Sequence, residues 1–230
     1  MNPKLLFLIP LLFLVSCNYI QTYFPVNNTI TQPIIINSTP TIQNTTIETP
    51  PERLMVITQN ETNVILLKQN AILVFKDNKT ILIDSGTENE VLDVITFLND
   101  LGITELDYII ATTPKSDYIG GIGYLSLRLN PELIYDNGIT SDLDSYKLYK
   151  RYYNTTSIIH SQYFKDFPMK VLVPFEKGLS ASLSDNSLMI EFLEPSVLYM
   201  SDCGFECENF YYHLTEGYCI IHDRNCLVGN

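Results

Sequence analysis

From residue 54 onward the apolar positions fall into short runs: 54–57, 63–67, 71–75 and 79–83. Turn-prone polar residues separate them, at Gln59-Asn60, Lys68-Gln69-Asn70 and Asp77-Asn78. Runs of that length between such breaks predict an antiparallel meander, with Asp77-Asn78 as a tight hairpin turn. The period then changes. Val91, Leu92, Val94, Ile95, Leu98 and Leu101 recur at helical spacing, and Gly102 is placed to stop that helix. A buried strand over 106–111 and a helix over 117–129 follow. Next come a strand and Asp136-Asn137-Gly138 turn within 131–138, and a tyrosine-rich helix over 143–153. The remaining apolar runs predict strands over 157–160, 170–173, 187–193 and 197–200, a helix over 206–214 and a last strand over 218–221.

The two ends of the chain depart from this alternation. Lys4, an apolar stretch from Leu5 to Val15, and Leu14-Val15-Ser16-Cys17 read as an export signal closed by a lipobox over residues 1–17. The stretch is short for about 30 Å of hydrocarbon, so it is read as a signal rather than a span. Cleavage before Cys17 and lipidation of that residue would tether the protein to the outer face of the cell membrane. Residues 18–52 are rich in Asn, Thr, Pro, Ile and Gln without sustained period, and are read as a disordered stalk. Asn27, Asn37 and Asn44 begin glycosylation sequons there, as do Asn60, Asn78 and Asn154 in the body.

What remains, 53–230, is about 175 residues and suits one domain with a sizeable core. Its four cysteines, Cys203, Cys207, Cys219 and Cys226, cluster at the C-terminal end. In an exported chain they predict two disulfides with three pairings open, and no Cys-x-x-Cys knuckle favours a four-thiolate zinc site instead. The net charge of −12 disfavours gripping a phosphate backbone. The one tight basic cluster, Lys147, Lys150 and Arg151, is read as a solvated helix face.

Chemistry enters with Ala111-Thr112-Thr113-Pro114-Lys115-Ser116-Asp117-Tyr118-Ile119-Gly120-Gly121, set between strand and helix, and with the earlier strand end Ile83-Asp84-Ser85-Gly86. These segments resemble the core of the metallo-β-lactamase superfamily, in particular the soluble hydrolase-like domain of ComEC competence proteins. That family places Thr-His-x-His/Asp-x-Asp-His-x-Gly-Gly at this turn. Thr112, Pro114, Asp117, Gly120 and Gly121 keep the frame, while the ligand positions read Thr113, Lys115 and Tyr118. Asp185-Asn186-Ser187-Leu188 and Leu198-Tyr199-Met200-Ser201-Asp202 resemble the family's late strand pair ending in Gly-Asp. Ser201 stands for the glycine and Asp202 for the metal-bridging aspartate. His222 is a weak echo of a last ligand histidine. The likeness runs over 54–214 and implies a mixed α/β fold, an αββα four-layer sandwich. It also implies zinc as cofactor, hydrolysis as activity, and nucleic acid as a partner.

The residues themselves argue against that chemistry. Zinc takes imidazole, thiolate or carboxylate ligands, and a lysine ammonium has no lone pair to offer. No zinc, no other cofactor and no catalytic residue is therefore expected. Asp84, Asp117 and Asp202 are expected to converge at the site mouth. There they either bind a hard cation as a divergent hydrolase, or leave Lys115 to pair with Asp117 or Asp202 as an internal cation, which is the preferred reading. Asp117 also reads as a helix cap. His160, His213 and His222 lack ligand spacing, and neither Ser116 nor Ser201 has an identifiable base. Gly120, Gly121 and Gly123 are read as allowing close helix–sheet packing. The functional expectation is a non-catalytic binding or accessory module with an unidentified protein or ligand partner, linked to DNA uptake only through the ComEC likeness.

Overall fold

A computed structural model describes residues 22–25, 53–59, 61–67, 70–174, 182–194, 196–205, 207–208, 219–222 and 225–228. Two sheets lie face to face. The first holds β1 (Thr22–Pro25), β2 (Arg53–Gln59), β3 (Thr62–Leu67), β4 (Ala71–Lys76), β5 (Lys79–Ile83), β6 (Tyr108–Ala111), β7 (Leu133–Asp136) and β8 (Thr155–Ser157), side by side in that order. β1 to β5 pair antiparallel, and Lys76 opposite Lys79 leaves Asp77-Asn78 as a two-residue turn. From β5 to β8 the pairing is parallel. Parallel neighbours need crossovers. Those crossovers carry α1 (Val91–Asp100), α2 (Ser116–Ile119), α3 (Ile122–Leu129) and α4 (Asp144–Tyr152).

The second sheet holds β9 (Gln162–Phe164), β10 (Met169–Leu172), β11 (Met189–Phe192), β12 (Val197–Tyr199), β13 (Cys219–His222) and β14 (Asn225–Val228), in the order β14-β13-β12-β11-β10-β9. Only β12 and β13 run parallel in it.

Alternation along each strand sorts the core into layers, because neighbouring side chains point to opposite faces. Ile72, Val74, Ile81, Ile83 and Ile110 of the first sheet meet Val171, Ile190, Phe192, Val197 and Tyr199 of the second. Leu73, Leu82 and Ile109 point the other way, against Val94, Leu98, Leu125 and Tyr149 of the helices. Both faces of β3 to β6 are largely buried, so those strands read as unbroken apolar runs. Each such side chain contributes about 1.5–3 kcal/mol of transfer free energy. Outside the second sheet, Leu172, Met189, Leu198 and Met200 pack on Cys203 and Cys207, where Phe205, Cys207 and Glu208 are helical. The fold is the expected αββα sandwich. Among the described residues no helix is long and apolar enough to cross a membrane.

Several elements differ from expectation. The single helix over 117–129 is two, α2 and α3, because the Gly121 N–H leaves the helical ladder for Ser85 Oγ at 3.0 Å and the Gly86 carbonyl at 3.3 Å. Within the tract read as a stalk, Thr22–Pro25 pairs with Val56 to Arg53 as an edge strand. Thr, Tyr and Phe favour extended backbone, and an existing sheet edge supplies the partner. β8 begins two residues early, and the short strands β9 and β14 were not anticipated. The signal region with Cys17, most of the 18–52 tract, and most of the 206–214 helix with His213 lie outside the described residues.

Helix ends follow local rules. Gly102, at φ +75°, closes α1 by donating to the Asn99 carbonyl, while Ile103 donates to that of Leu98. That paired 5→2 and 6→1 pattern is a Schellman motif, and a left-handed residue in its C′ place suits glycine.

Candidate functional site

The C-terminal ends of β5, β6 and β12 deliver three segments to one rim of the sandwich. Asp84 follows β5 and takes a left-handed backbone, φ +57°. Its N–H donates to the Ile110 carbonyl at 2.8 Å, fixing it beside β6. The carboxyl is fully buried and ringed by donors. The Thr112 N–H donates to Oδ1 at 2.8 Å, the Thr112 hydroxyl to Oδ2 at 2.6 Å, and the Tyr199 hydroxyl to Oδ2 at 3.2 Å. With its single proton committed to Asp84, the Thr112 hydroxyl accepts from Ser201 Oγ. Burial pushes the Asp84 carboxyl up to about 7, against the pull of its hydrogen bonds. Burial, followed by the Asp84 charge, likewise raises the Tyr199 phenol well above its ordinary value, so it stays a donor.

Lys115 turns away from Asp84. Its ammonium lies 2.5 Å from Asp202 Oδ2 and donates to Ser184 Oγ at 2.6 Å. Both partners are partly accessible, with side-chain exposures of 36% and 20%. Thr113 and Ser187 sit deeper. Their hydroxyls are buried without a hydrogen-bond partner among the described residues, on segments joined by the Leu188 N–H to Thr112 carbonyl bond at 2.8 Å. Tyr118 is half-buried, and its carbonyl accepts from the Ser85 N–H at 2.7 Å. A shallow cleft beside it is lined by Asn70, Ala71, Tyr118, Tyr199, Ser201 and Ile221.

The three aspartates take different partners instead of facing a common centre. Asp84 is turned inward to Thr112 and Tyr199, and Asp202 to Lys115. Asp117 is exposed on the first turn of α2, where Ser116 Oγ donates to it at 3.3 Å. Among the described residues no group of three or more His, Cys, Asp or Glu could hold a metal ion. Asp117 is also not the helix cap expected of it: Lys115 occupies that position, with no side-chain capping bond. His160 is exposed. His222 is described only as backbone, opposite Asn225. Gly120 and Gly123 serve contacts other than helix on sheet. A Cβ on Gly120 would stand 2.7 Å from the Glu88 nitrogen, and one on Gly123 2.8 Å from Leu148 Cδ2 of α4.

Among the described residues one disulfide is formed, Cys203 to Cys207. Cys219 and Cys226 enter only through backbone register, opposite Val228 and Ile221. Sequence reasoning missed Ser184 and Tyr199 as site residues. Tyr199 carried a readable signal, since its alternation with Leu198 points it inward, whereas nothing local marks Ser184. Of the basic cluster, Lys147 and Arg151 are exposed, with Lys147 beside the exposed Asp142 and Arg151 over the Tyr152 ring, while Lys150 departs from a solvated face by donating to the buried Asp136 at 2.9 Å.

The metallo-beta-lactamase superfamily model matches residues 64–214. The chain belongs to that superfamily. Among solved structures it is similar to TMB-1, with 17% identity over 64% of each chain and a TM-score of 0.42. FIM-1 from Pseudomonas aeruginosa, solved in its mono-zinc form, shows 13% identity over 64% of this chain and 62% of that one, with a TM-score of 0.40. The metallo-beta-lactamase fold protein YhfI from Bacillus subtilis shows 18% identity over 65% and 61%, with a TM-score of 0.43. The chain thus spans less than two thirds of the length of these superfamily members. No curated protein matches it.

Proposed function

We propose that this superfamily member is an exported protein, lipid-anchored on the outer face of the cell membrane, that has lost the zinc centre and works as a non-catalytic binding or accessory module. The observation that carries the reading is the Lys115 ammonium, 2.5 Å from Asp202 Oδ2. A metallo-β-lactamase-type site needs imidazole, thiolate or carboxylate ligands around a dication. Here the corresponding positions offer the Thr113 hydroxyl, an ammonium and the Tyr118 phenol. A cationic side chain on the one carboxylate placed to bridge metals opposes a dication there. The residues present therefore do not fit zinc, and no hydrolytic step is derived through it. Asp84, the remaining inner carboxylate, already accepts three bonds from protein donors.

The likeness of the sequence motifs to ComEC supports a link to DNA uptake, while the charge argues for a role other than holding DNA. The net charge is −12, and Lys147 and Lys150 are engaged by their own aspartates. A protein or small polar ligand meeting the half-exposed Lys115 is the better partner.

The test is metal content and hydrolysis on the purified full chain. Zinc well below one equivalent is expected after exchange into zinc-containing buffer, with no chelator-sensitive cleavage of phosphodiester or β-lactam substrates. Stoichiometric zinc with chelator-sensitive cleavage would overturn the reading. The anchor is tested separately: Cys17→Ser should move the protein from the membrane to the soluble fraction.

A further inference from the structure

The segment that carries Asp202 is stapled. Met200 to Cys203 forms a tight turn, closed by the Cys203 N–H on the Met200 carbonyl at 3.0 Å, with Asp202 near its end. The Cys203–Cys207 disulfide ties the next five residues into a ring. That ring is pressed on the segment bearing the other Lys115 partner. The Cys207 N–H donates to Asp185 Oδ1 at 3.4 Å. Gly204 lies so close that a Cβ there would stand 2.5 Å from the same Oδ1 and 3.1 Å from Ser184 Cβ. One covalent link thus fixes both groups that cover the lysine, Asp202 on one side and Ser184 on the other. Among the described residues no second disulfide reaches the ring, and Ser201 inside the turn sits at φ +53°, where a non-glycine residue stores strain.

We propose that the Cys203–Cys207 disulfide is a thiol-sensitive strap that sets how fully Asp202 covers Lys115, so that reduction unmasks the lysine ammonium. The reductant is a dithiol. Its first thiolate attacks one half-cystine and forms a mixed disulfide as the Cys203–Cys207 bond breaks. Its second thiolate displaces that cysteine and closes the reductant's own disulfide. Two electrons pass to the protein, and both cysteines leave as protonated thiols. Cys203 and Cys207 are buried, so attack requires the ring to lift first, and the same movement withdraws Asp202. The strap rests on reading Lys115 as the internal cation of the site. Metal content tests that reading and lysine reactivity tests the strap, so the two fail separately.

The experiment is pulsed acylation of the full chain by an acetyl N-hydroxysuccinimide ester, with and without dithiothreitol, read by peptide mass spectrometry. Lys115 acetylation should rise several-fold on reduction while Lys150, held on buried Asp136, stays constant and reports an intact fold. The double variant Cys203→Ser/Cys207→Ser should label like the reduced protein without reductant. Asp202→Asn should label strongly in the oxidised state and respond little to reduction, which keeps the proposal testable if the double variant does not fold. Unchanged Lys115 labelling, a rise shared with Lys150, or free thiols at both cysteines before reduction would each overturn it.

Discussion

Asp84 and Asp136 stand at the ends of two strands of the same sheet, β5 and β7, and both are buried, yet they are held in opposite ways. Asp84 accepts only from neutral donors, the Thr112 N–H and hydroxyl and the Tyr199 phenol. Asp136 accepts from the Gly138 N–H at 3.0 Å and Ser157 Oγ at 2.7 Å, and also from an ammonium, Lys150 at 2.9 Å. The counts of bonds are alike; the charge is what differs. Hydroxyls orient a carboxylate but leave its charge largely uncompensated, so desolvation prevails and Asp84 is pushed up to about 7. A cation was available at that rim, but Lys115 is spent on Asp202. The inner carboxyl therefore serves as a hydrogen-bonded post for the Thr112 turn, and the Lys115–Asp202 pair is the ion pair that this rim presents toward solvent.

The largest expected effect is pH dependence of stability from Asp84. In the unfolded chain its proton leaves near 3.8, in the folded protein near 7. Between those values the folded state binds more protons, so raising the pH favours unfolding. Stability should fall as pH rises from about 4 to about 7, by roughly 4 kcal/mol at most from this group, since one unit is about 1.4 kcal/mol. Urea denaturation across that range measures it. Asp84→Asn should flatten the slope, and an unchanged slope in the variant would assign the dependence elsewhere.

Somewhat smaller is the effect of breaking the compensated site. Asp136→Ala leaves Lys150 without its counter-charge and Gly138 and Ser157 without an acceptor, for a cost of about 3 kcal/mol. The Lys150 side chain is 30% exposed and recovers part of its hydration, which keeps the loss below that of a fully enclosed pair. Lys150→Met sharpens the comparison further. It leaves Asp136 a buried carboxylate with neutral donors only and should cost about 2 kcal/mol. Denaturation of Lys150→Met beside Asp136→Ala would show it, and an unaltered stability would mean that the hydroxyl and N–H donors alone suffice.

That the two aspartates differ could not be read from sequence, although much around them could. The meander, the Asp77-Asn78 hairpin and the Gly102 stop depend on neighbours within a few positions, so local pattern carries them. The Thr87-Glu90 pair was also local: the Thr87 N–H and hydroxyl donate to Glu90 Oε2 at 3.0 and 2.8 Å ahead of α1. Its spacing is that of a capping box and was open to reading. The break between α2 and α3 was not, because the acceptor that diverts Gly121 is Ser85, 36 positions away. Lys150 looked like part of a solvated face for the same reason. Its partner lies 14 residues back, brought alongside only when α4 folds over the end of β7. The motif likeness located the rim of the site. Which aspartate faces which donor is set by packing between the two sheets.

The smallest effect separates two features of Ser201, the residue standing where the resemblance places a glycine. Its φ of +53° is a conformation glycine adopts freely and other L-residues adopt at a cost of about 1 kcal/mol. Its hydroxyl offsets that cost by donating to Thr112 Oγ1, which stiffens the donor holding Asp84. Ser201→Gly relieves the backbone and loses the bond, two terms of about 1 kcal/mol each that nearly cancel. Ser201→Ala loses the bond and keeps the strain, so it should be less stable than Ser201→Gly by about 1 kcal/mol. The comparison of the two variants by denaturation cancels the hydroxyl and isolates the backbone. If alanine proves as stable as glycine there, the turn is not strained in solution, and the serine is held by its hydrogen bond alone.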